Sequence, residues 1–422
     1  MNISSVFFLT LAFSITLTAC SLMSPNQHPS ILVAPGTVFR PILSASEAQN
    51  FVHSRYFSTM DTNIAPWSPV AIAIPAKSDF VVGPAGTQGV THTTIQEAVD
   101  AAIIRYSDSR TYIAILPGEY PGTVYIPAGP GSVTLYGTGD QAADVKISMA
   151  IGSKMHPNIW RRLVNPGGKY MPGKAAWYMF ESCQSKRSSI VGVMCSAVVW
   201  SQNNGLQLQN LTIENNFSDS IDAGKQQAVA LRSDGDKVQI NNVNILGHQN
   251  TFFVTNSGVE NRLQNDRITR TLVTNSYLEG NVDIVSGRGA VVFDNTDFHV
   301  VNSRSQKEAY VFAPATQSNM YFGFLVTNSR FNAEGNGVAQ LGRSLNVDRN
   351  TNGQVVIRDS VINGGFNMEK PWADASISKC PFRGNIGAKS NTDGEIQRDL
   401  NDQKFNRMWE YNNRGMRSHM AY

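Results

Sequence analysis

Six short stretches decide how this chain is read: Gln209-Asn210-Leu211-Thr212-Ile213, Asn241-Asn242-Val243-Asn244-Ile245, Thr274-Asn275-Ser276-Tyr277-Leu278, Asp294-Asn295-Thr296-Asp297-Phe298, Thr327-Asn328-Ser329-Arg330-Phe331 and Arg358-Asp359-Ser360-Val361-Ile362. In each, an apolar run ends in Asn or Asp, and a second run opens with alternating apolar positions. Counted from Asn210, the steps are about 32, 33, 20, 33 and 31 residues, within the range of stacked coils. Asn suits a sharp bend between strands because it tolerates the left-handed backbone region and hydrogen-bonds the chain locally. Stacking would then set these side chains above one another as a ladder. The pattern predicts a solenoid of short β-strands, and because each coil touches only its neighbours, a chain of 422 residues can form one such unit.

Composition agrees. Hydrophobic residues make up 41% and there are 34 Gly, which suits many short strands and tight turns rather than a helical bundle. A formal charge of +3 with 16% charged residues supplies no concentrated basic field, so nucleic acid is not an expected partner. His and Cys are scattered without ligand spacing, so no metal is expected.

The N-terminus reads as a targeting segment. Val6 to Ala19 is almost wholly apolar, too short for a permanent membrane span, and is followed at once by Cys20. Leu17-Thr18-Ala19-Cys20 resembles the bacterial lipobox, although Met1 to Ser5 carries no Lys or Arg. That resemblance implies a signal peptide over 1–19 and an acylated Cys20. Ser21 in place of Asp resembles sorting to the outer membrane, so the expected location is the outer membrane, held by lipid. Residues 20–43, with Pro25, Pro29, Pro35 and Pro41, read as a flexible tether, and 44–422 as the body.

Within the body, Ser44 and Glu47 open a short helix expected to reach about Tyr56, and Thr94 and Glu97 form a second capping box. Both helices are expected to cap the N-terminal end of the solenoid. Residues 150–200, with Trp160, Trp177 and Trp200 and the cations Arg161, Arg162, Lys169 and Lys174, break the rhythm and read as an excursion able to wall a cleft. In an oxidising periplasm Cys183 and Cys195, close in sequence, are the expected disulfide; Cys380 is then left as a small buried apolar side chain. Ile396, Leu400, Phe405 and Trp409 stand at roughly helical spacing, which predicts a helical segment near the C-terminus.

Four further motifs occur in order: Gln227-Ala228-Val229-Ala230-Leu231-Arg232, Gly247-His248-Gln249-Asn250-Thr251-Phe252, Gly280-Asn281-Val282-Asp283-Ile284-Val285-Ser286-Gly287 and Leu341-Gly342-Arg343-Ser344. Together they resemble the pectinesterase family over most of residues 80–385. The likeness extends to its outer-membrane lipoprotein branch in enteric bacteria, whose members carry a provisional acyl-CoA thioesterase label. The resemblance implies an all-β fold, a single-stranded right-handed parallel β-helix of the pectin lyase-like kind with short capping helices. It also implies a cofactor-free ester hydrolase acting on the methyl ester of a uronate polymer or a related glycan, and a monomer is expected.

The same resemblance assigns roles. Asp283 would be the nucleophile, Arg343 would orient it, and Gln227 and Gln249 would donate to the oxyanion. An Asp between Val282 and Ile284 is a poor structural choice unless a cation pairs it, and Arg343 offers one. Asn250 departs from the pattern: it stands where the family places its acid/base aspartate and cannot give or take a proton. Loss of that help, typically 10²–10⁴-fold, bears hardest on an alkoxide leaving group and little on a thiolate. An acyl-CoA-type thioester hydrolase and a catalytically weakened glycan-binding lipoprotein are therefore the alternatives. His248 is a further candidate acid. Ile284, Ser286 and Leu345 stand where the family usually has Phe, Phe and Trp to stack on sugar rings, and Arg288 could meet a substrate carboxylate.

Overall fold

The computed structural model describes residues 36–415, apart from 59–63, 185–187, 218–225, 265, 302–307, 318–319, 336, 346–350, 383, 385–388, 391–395, 398–399 and 401–406. Cys20 and the signal segment lie outside the described residues, as does most of the tether. The chain is a parallel β-helix. Among the described residues, every pairing between strands is parallel except that of the two-residue strands Lys389–Ser390 and Ile396–Gln397. Val238–Leu246 shows how a coil stacks: Val238 to Asn241 pairs with Thr271 to Thr274 of the next coil, and Asn244 to Leu246 with Tyr277 to Glu279. Between the two halves the chain bends at Asn242, with φ 53°.

The same bend recurs at Asn210, Asn275, Asn295, Asn328, Asp359 and Asn412, all with φ between 49° and 53°. Side-chain amides climb the stack, Asn242 Nδ2 to Asn210 Oδ1 at 2.8 Å, Asn295 to Asn275 at 2.7 Å and Asn412 to Asp359 at 2.7 Å. Alternate strand residues point inward. Val243, Ile245, Val291, Phe293, Phe298, Phe312, Phe331 and Met408 are among those filling the interior, where the Phe298 and Phe331 rings stack at 4.9 Å. Burial of each such side chain stabilises the fold by about 1.5–3 kcal/mol.

α3 (Ile95–Ile104) plugs the first coils with Ile95, Ala98, Val99 and Ala102 packed into that interior, and its Thr94–Glu97 capping box is present. The first predicted helix is instead two, α1 (Ala45–Ala48) and α2 (His53–Phe57), and they do not cap the N-terminal end. Leu43, Ala48, Phe51, Tyr56 and Phe57 lie with Val292, Leu325, Val356 and Trp409 against the outside of later coils, where those strands present apolar residues on both faces. Residues 36–43 are likewise docked rather than a free tether. Leu43 N donates to Glu410 O at 2.8 Å, and Arg40 pairs with Glu410 at 2.9 Å.

The C-terminal segment is not helical where described. Arg407–Tyr411 is a strand paired with Gln354–Arg358, with Met408 in the interior and Trp409 outside against α1 and its flanks. Successive side chains alternate between the interior and the outer face, and Arg407 to Glu410 are all buried, as in one more stacked coil. The excursion carries α4 (Pro157–Val164) and α5 (Trp177–Gln184) around stacked Trp160, Phe180 and Tyr170 rings. A disulfide joins Cys183 to Cys195. Cys380 is half-buried rather than a core filler, and no described cysteine is free.

Candidate active site

A second sheet of short strands forms the other wall of the coils, in the order Val124–Ile126, Val199–Ser201, Leu231–Ser233, Phe252–Val254, Val285–Gly287, Ala309–Pro314, Ala339–Arg343 and Trp372–Ala373. Gln227, Gln249, Asn250 and Asp283 lie where the chain enters these strands, whereas Arg343 is the last residue of its own strand. Ala228 N donates to Gln249 O at 2.9 Å, Gln249 bridges Val282, and Asn250 N donates to Val282 O at 3.0 Å. Ile284 N donates to Tyr310 O at 3.3 Å, and Phe312 pairs with Gly342 one coil further on. Gln227, Gln249 with Asn250, Asp283, Tyr310 and Arg343 thus sit on five successive coils.

Asp283 is not on a strand but at a bend, φ 53°, and Asn250 one coil earlier has φ 60°. Asp and Asn are the residues that accept this conformation most readily after Gly. Gly287, at φ 108°, ends the motif where any Cβ would strike the Val254 carbonyl oxygen. Arg343, two coils beyond Asp283, reaches back across the intervening coil. Its Nε donates to Asp283 Oδ1 at 2.9 Å and its Nη2 to Oδ2 at 2.8 Å. The pair is nearly enclosed, with side-chain exposures of 12% and 6%. Burial disfavours the Arg343 cation, but the charge and hydrogen bonds of Asp283 outweigh it and raise its pKa. The guanidinium lies 4.0 Å from the centre of the buried Tyr310 ring. Burial raises the pKa of that phenol despite the cation above it.

Gln227 is oriented by the excursion. Ser153 Oγ donates to its Oε1 at 2.7 Å and Ser153 N to its backbone oxygen at 2.8 Å, which turns the amide nitrogen away from Ser153. The excursion therefore does reach this site. Asn250 is buried, and its Nδ2 donates to Ser286 Oγ at 2.6 Å. Burial lowers the pKa of His248, partly offset by Glu279, so near neutral pH its imidazole is a poor acid.

Three expectations shift. Ile284 points into the interior core, so its aliphatic side chain leaves no gap in a sugar platform. Ser286 and Arg288 are buried too, and Leu345 is half-buried. A cleft of about 1070 Å³, lined by Gln96, Asp100, Glu119, Leu163 and Lys169 among others, opens at the N-terminal end and contains none of the predicted site residues. Sequence reasoning missed Tyr310 and Ser153. The coil-to-coil register from Asp283 would have pointed to Tyr310; no sequence signal marks Ser153.

A family model described as Pectinesterase matches residues 182–346. Pectinesterase B of Dickeya dadantii (strain 3937) is 44% identical over 421 residues, covering 95% of each chain. The chain belongs to the pectinesterase family. Another relative, YbhC of Escherichia coli (strain K12), is named as a candidate acyl-CoA thioester hydrolase and is 69% identical over 420 residues, covering 99% of this chain and 98% of that one. The crystal structure of Escherichia coli YbhC superposes with a TM-score of 0.89 over 93% of this chain and 99% of that one. The rice weevil pectin methyl esterase follows at 0.78 and 34% identity, over 91% and 99%.

Proposed function

We propose that this pectinesterase-family chain is a carboxylic-ester hydrolase whose nucleophile is Asp283. The observation that carries the reading is the two-point Arg343–Asp283 pair. It holds the carboxylate in a nearly enclosed place and fixes the direction of its oxygens. One Asp283 oxygen attacks the ester carbonyl, and the amide nitrogens of Gln227 and Gln249 stabilise the oxyanion, each well-placed donor contributing about 3 kcal/mol. The leaving group departs, and water cleaves the acyl-aspartate. The substrate is an ester of a uronate polymer or a related envelope glycan, as the relatives named pectinesterase and pectin methyl esterase suggest. A thioester is the second reading, favoured by the proton-inert Asn250.

Cys20 would carry lipid and hold the protein, as a monomer, at the outer membrane; the lipobox-like Leu17-Thr18-Ala19-Cys20 supports this. Two measurements test the proposal. Purified protein should release acid from methylated pectin or from acyl thioesters, and Asp283→Ala should not; equal rates for both would sink the mechanism. Cys20→Ala should leave the protein unprocessed or released from membranes, whereas unchanged attachment rejects the anchor.

A further inference from the structure

Asn250 and Ser286 both leave the family's motif pattern, and they contact each other. Asn250 Nδ2 donates to Ser286 Oγ at 2.6 Å, with Asn250 6% exposed and Ser286 fully enclosed. Asn250 stands one coil from Asp283 in the same turn, joined through its N–H to Val282 O. Where the family pattern has a carboxyl beside an aromatic ring, this chain has a primary amide tied to a hydroxyl. Neither group yields a proton near neutral pH, and neither can accept one and hold it.

Resting on the Asp283 nucleophile proposed above and favouring the second of its two substrate readings, we infer that the Asn250–Ser286 pair makes this site selective for esters whose leaving group departs as an anion: thioesters and aryl esters rather than alkyl esters. Asp283 attacks the carbonyl carbon, the C–S or C–O(aryl) bond breaks, and the thiolate or phenolate leaves with the electron pair and no proton. The product is an acyl-aspartyl anhydride. Water adds to it, the carboxylic acid is released, Asp283 returns as carboxylate, and one proton goes to solvent. Thiols and phenols, with pKa values of about 8.5 and 10, leave this way readily; an alkoxide requires a proton donor at the moment of cleavage.

Ser286 is the positioning residue of the pair. Its Oγ fixes the Asn250 amide, and it also decides what a carboxyl at 250 could do. In Asn250→Asp the serine hydroxyl would donate to the new carboxylate and favour its charged form, leaving a poor acid. Without that hydroxyl the enclosed carboxyl would stay protonated to higher pH. A single reversal is therefore expected to restore little, and reversal of both positions much more.

The test measures kcat/KM for the methyl, phenyl and ethylthio esters of one uronic acid and of acetic acid. The parent should favour thioester over methyl ester by at least about 10²-fold, from the usual worth of a positioned acid. Asn250→Asp should raise methyl-ester turnover by no more than about tenfold. Asn250→Asp with Ser286→Phe should raise it by about 10²–10⁴-fold and narrow the preference for thioester over methyl ester. Should the bulky ring prevent folding, Asn250→Asp with Ser286→Ala removes the same hydroxyl without it and should move in the same direction. Turnover that depends on Asp283 but is equal for methyl and thioester, or a thioester preference that no double variant narrows, overturns the inference alone. Absence of any turnover that Asp283→Ala abolishes overturns the esterase reading and the inference with it.

Discussion

On one side of the coils, Asn210, Asn242, Asn275, Asn295, Asn328, Asp359 and Asn412 turn the chain through left-handed backbone, and several amides bond to one another up the stack. On the other side, Asn250 and Asp283 turn it through the same backbone, at φ 60° and 53°, but bond to nothing of their own kind. Asp283 is held by Arg343 from two coils away and Asn250 by Ser286. Both columns use the residue types that tolerate this conformation. In the first, the side chain's bonds complete the bend; in the second, the bend serves to present a side chain. The difference is one of partners, and it predicts that damage to the first column reads out as stability and damage to the second as activity.

The largest effect tests the second column. Asp283→Ala should lower ester hydrolysis by on the order of 10⁴-fold or more, as removal of a nucleophile does. It also leaves a nearly enclosed Arg343 without its carboxylate, which costs about 3–5 kcal/mol in urea unfolding. Asp283→Asn keeps a residue suited to the bend and a hydrogen-bond acceptor for Arg343, so it should be equally inactive but lose less stability. Were Asp283→Asn to unfold as easily as Asp283→Ala, the bend and the ion pair would not be separable, and the contrast between the columns would fail.

The first column responds more modestly. Asn295→Ala forfeits the 2.7 Å bond to Asn275 and puts an ordinary side chain at φ 49°. The expected loss is about 1–3 kcal/mol in chemical unfolding, with kcat/KM for any ester unchanged. Asn295→Gly loses the same bond without the steric penalty and should fall in between. A ladder variant that kept its stability but lost activity would invert the comparison.

How much of this was legible in the sequence follows from the same contrast. The ladder repeats six times with the same flanks, so periodicity exposed it; Asn412 escaped because its flanks, Tyr411 and Asn413, do not repeat the pattern. Arg407–Tyr411 has helical spacing in the sequence yet forms a strand, because Trp409 faces outward, onto a surface made by α1 and its flanks that local sequence cannot reveal. The candidate-site residues, and the pairing of Asp283 with Arg343, were legible through four motifs in order. Their other partners were not. Arg343 over Tyr310 and Ser153 on Gln227 are contacts between coils or across the excursion, set by register and insertion rather than by spacing along the chain.

The smallest predicted effect lies off both columns and checks that they are separate from the excursion. Lys169 Nζ donates to the Thr123 carbonyl at the joint between the excursion and the first coils. Burial lowers its pKa from the ordinary 10.5 to about 8, with Asp100 offsetting part of the shift. Between those two values the unfolded chain holds a proton that the folded chain has released. Stability therefore rises with pH from about 8 to 10.5 and lies on its lower plateau below pH 8. For a half-buried amine reached by solvent, the rise is about 2 kcal/mol at most. Lys169→Met should remove this part of the slope, read as the difference between parent and variant urea midpoints at pH 7.5 and pH 10. Removal leaves Thr123 O with its other donor, the Tyr170 hydroxyl at 3.1 Å, so the variant should fold normally. Ester hydrolysis at a fixed pH should be the same in parent and variant. If it falls, the excursion transmits the state of Lys169 through Ser153 to Gln227, and the second column cannot be treated as a site held only by its own coils.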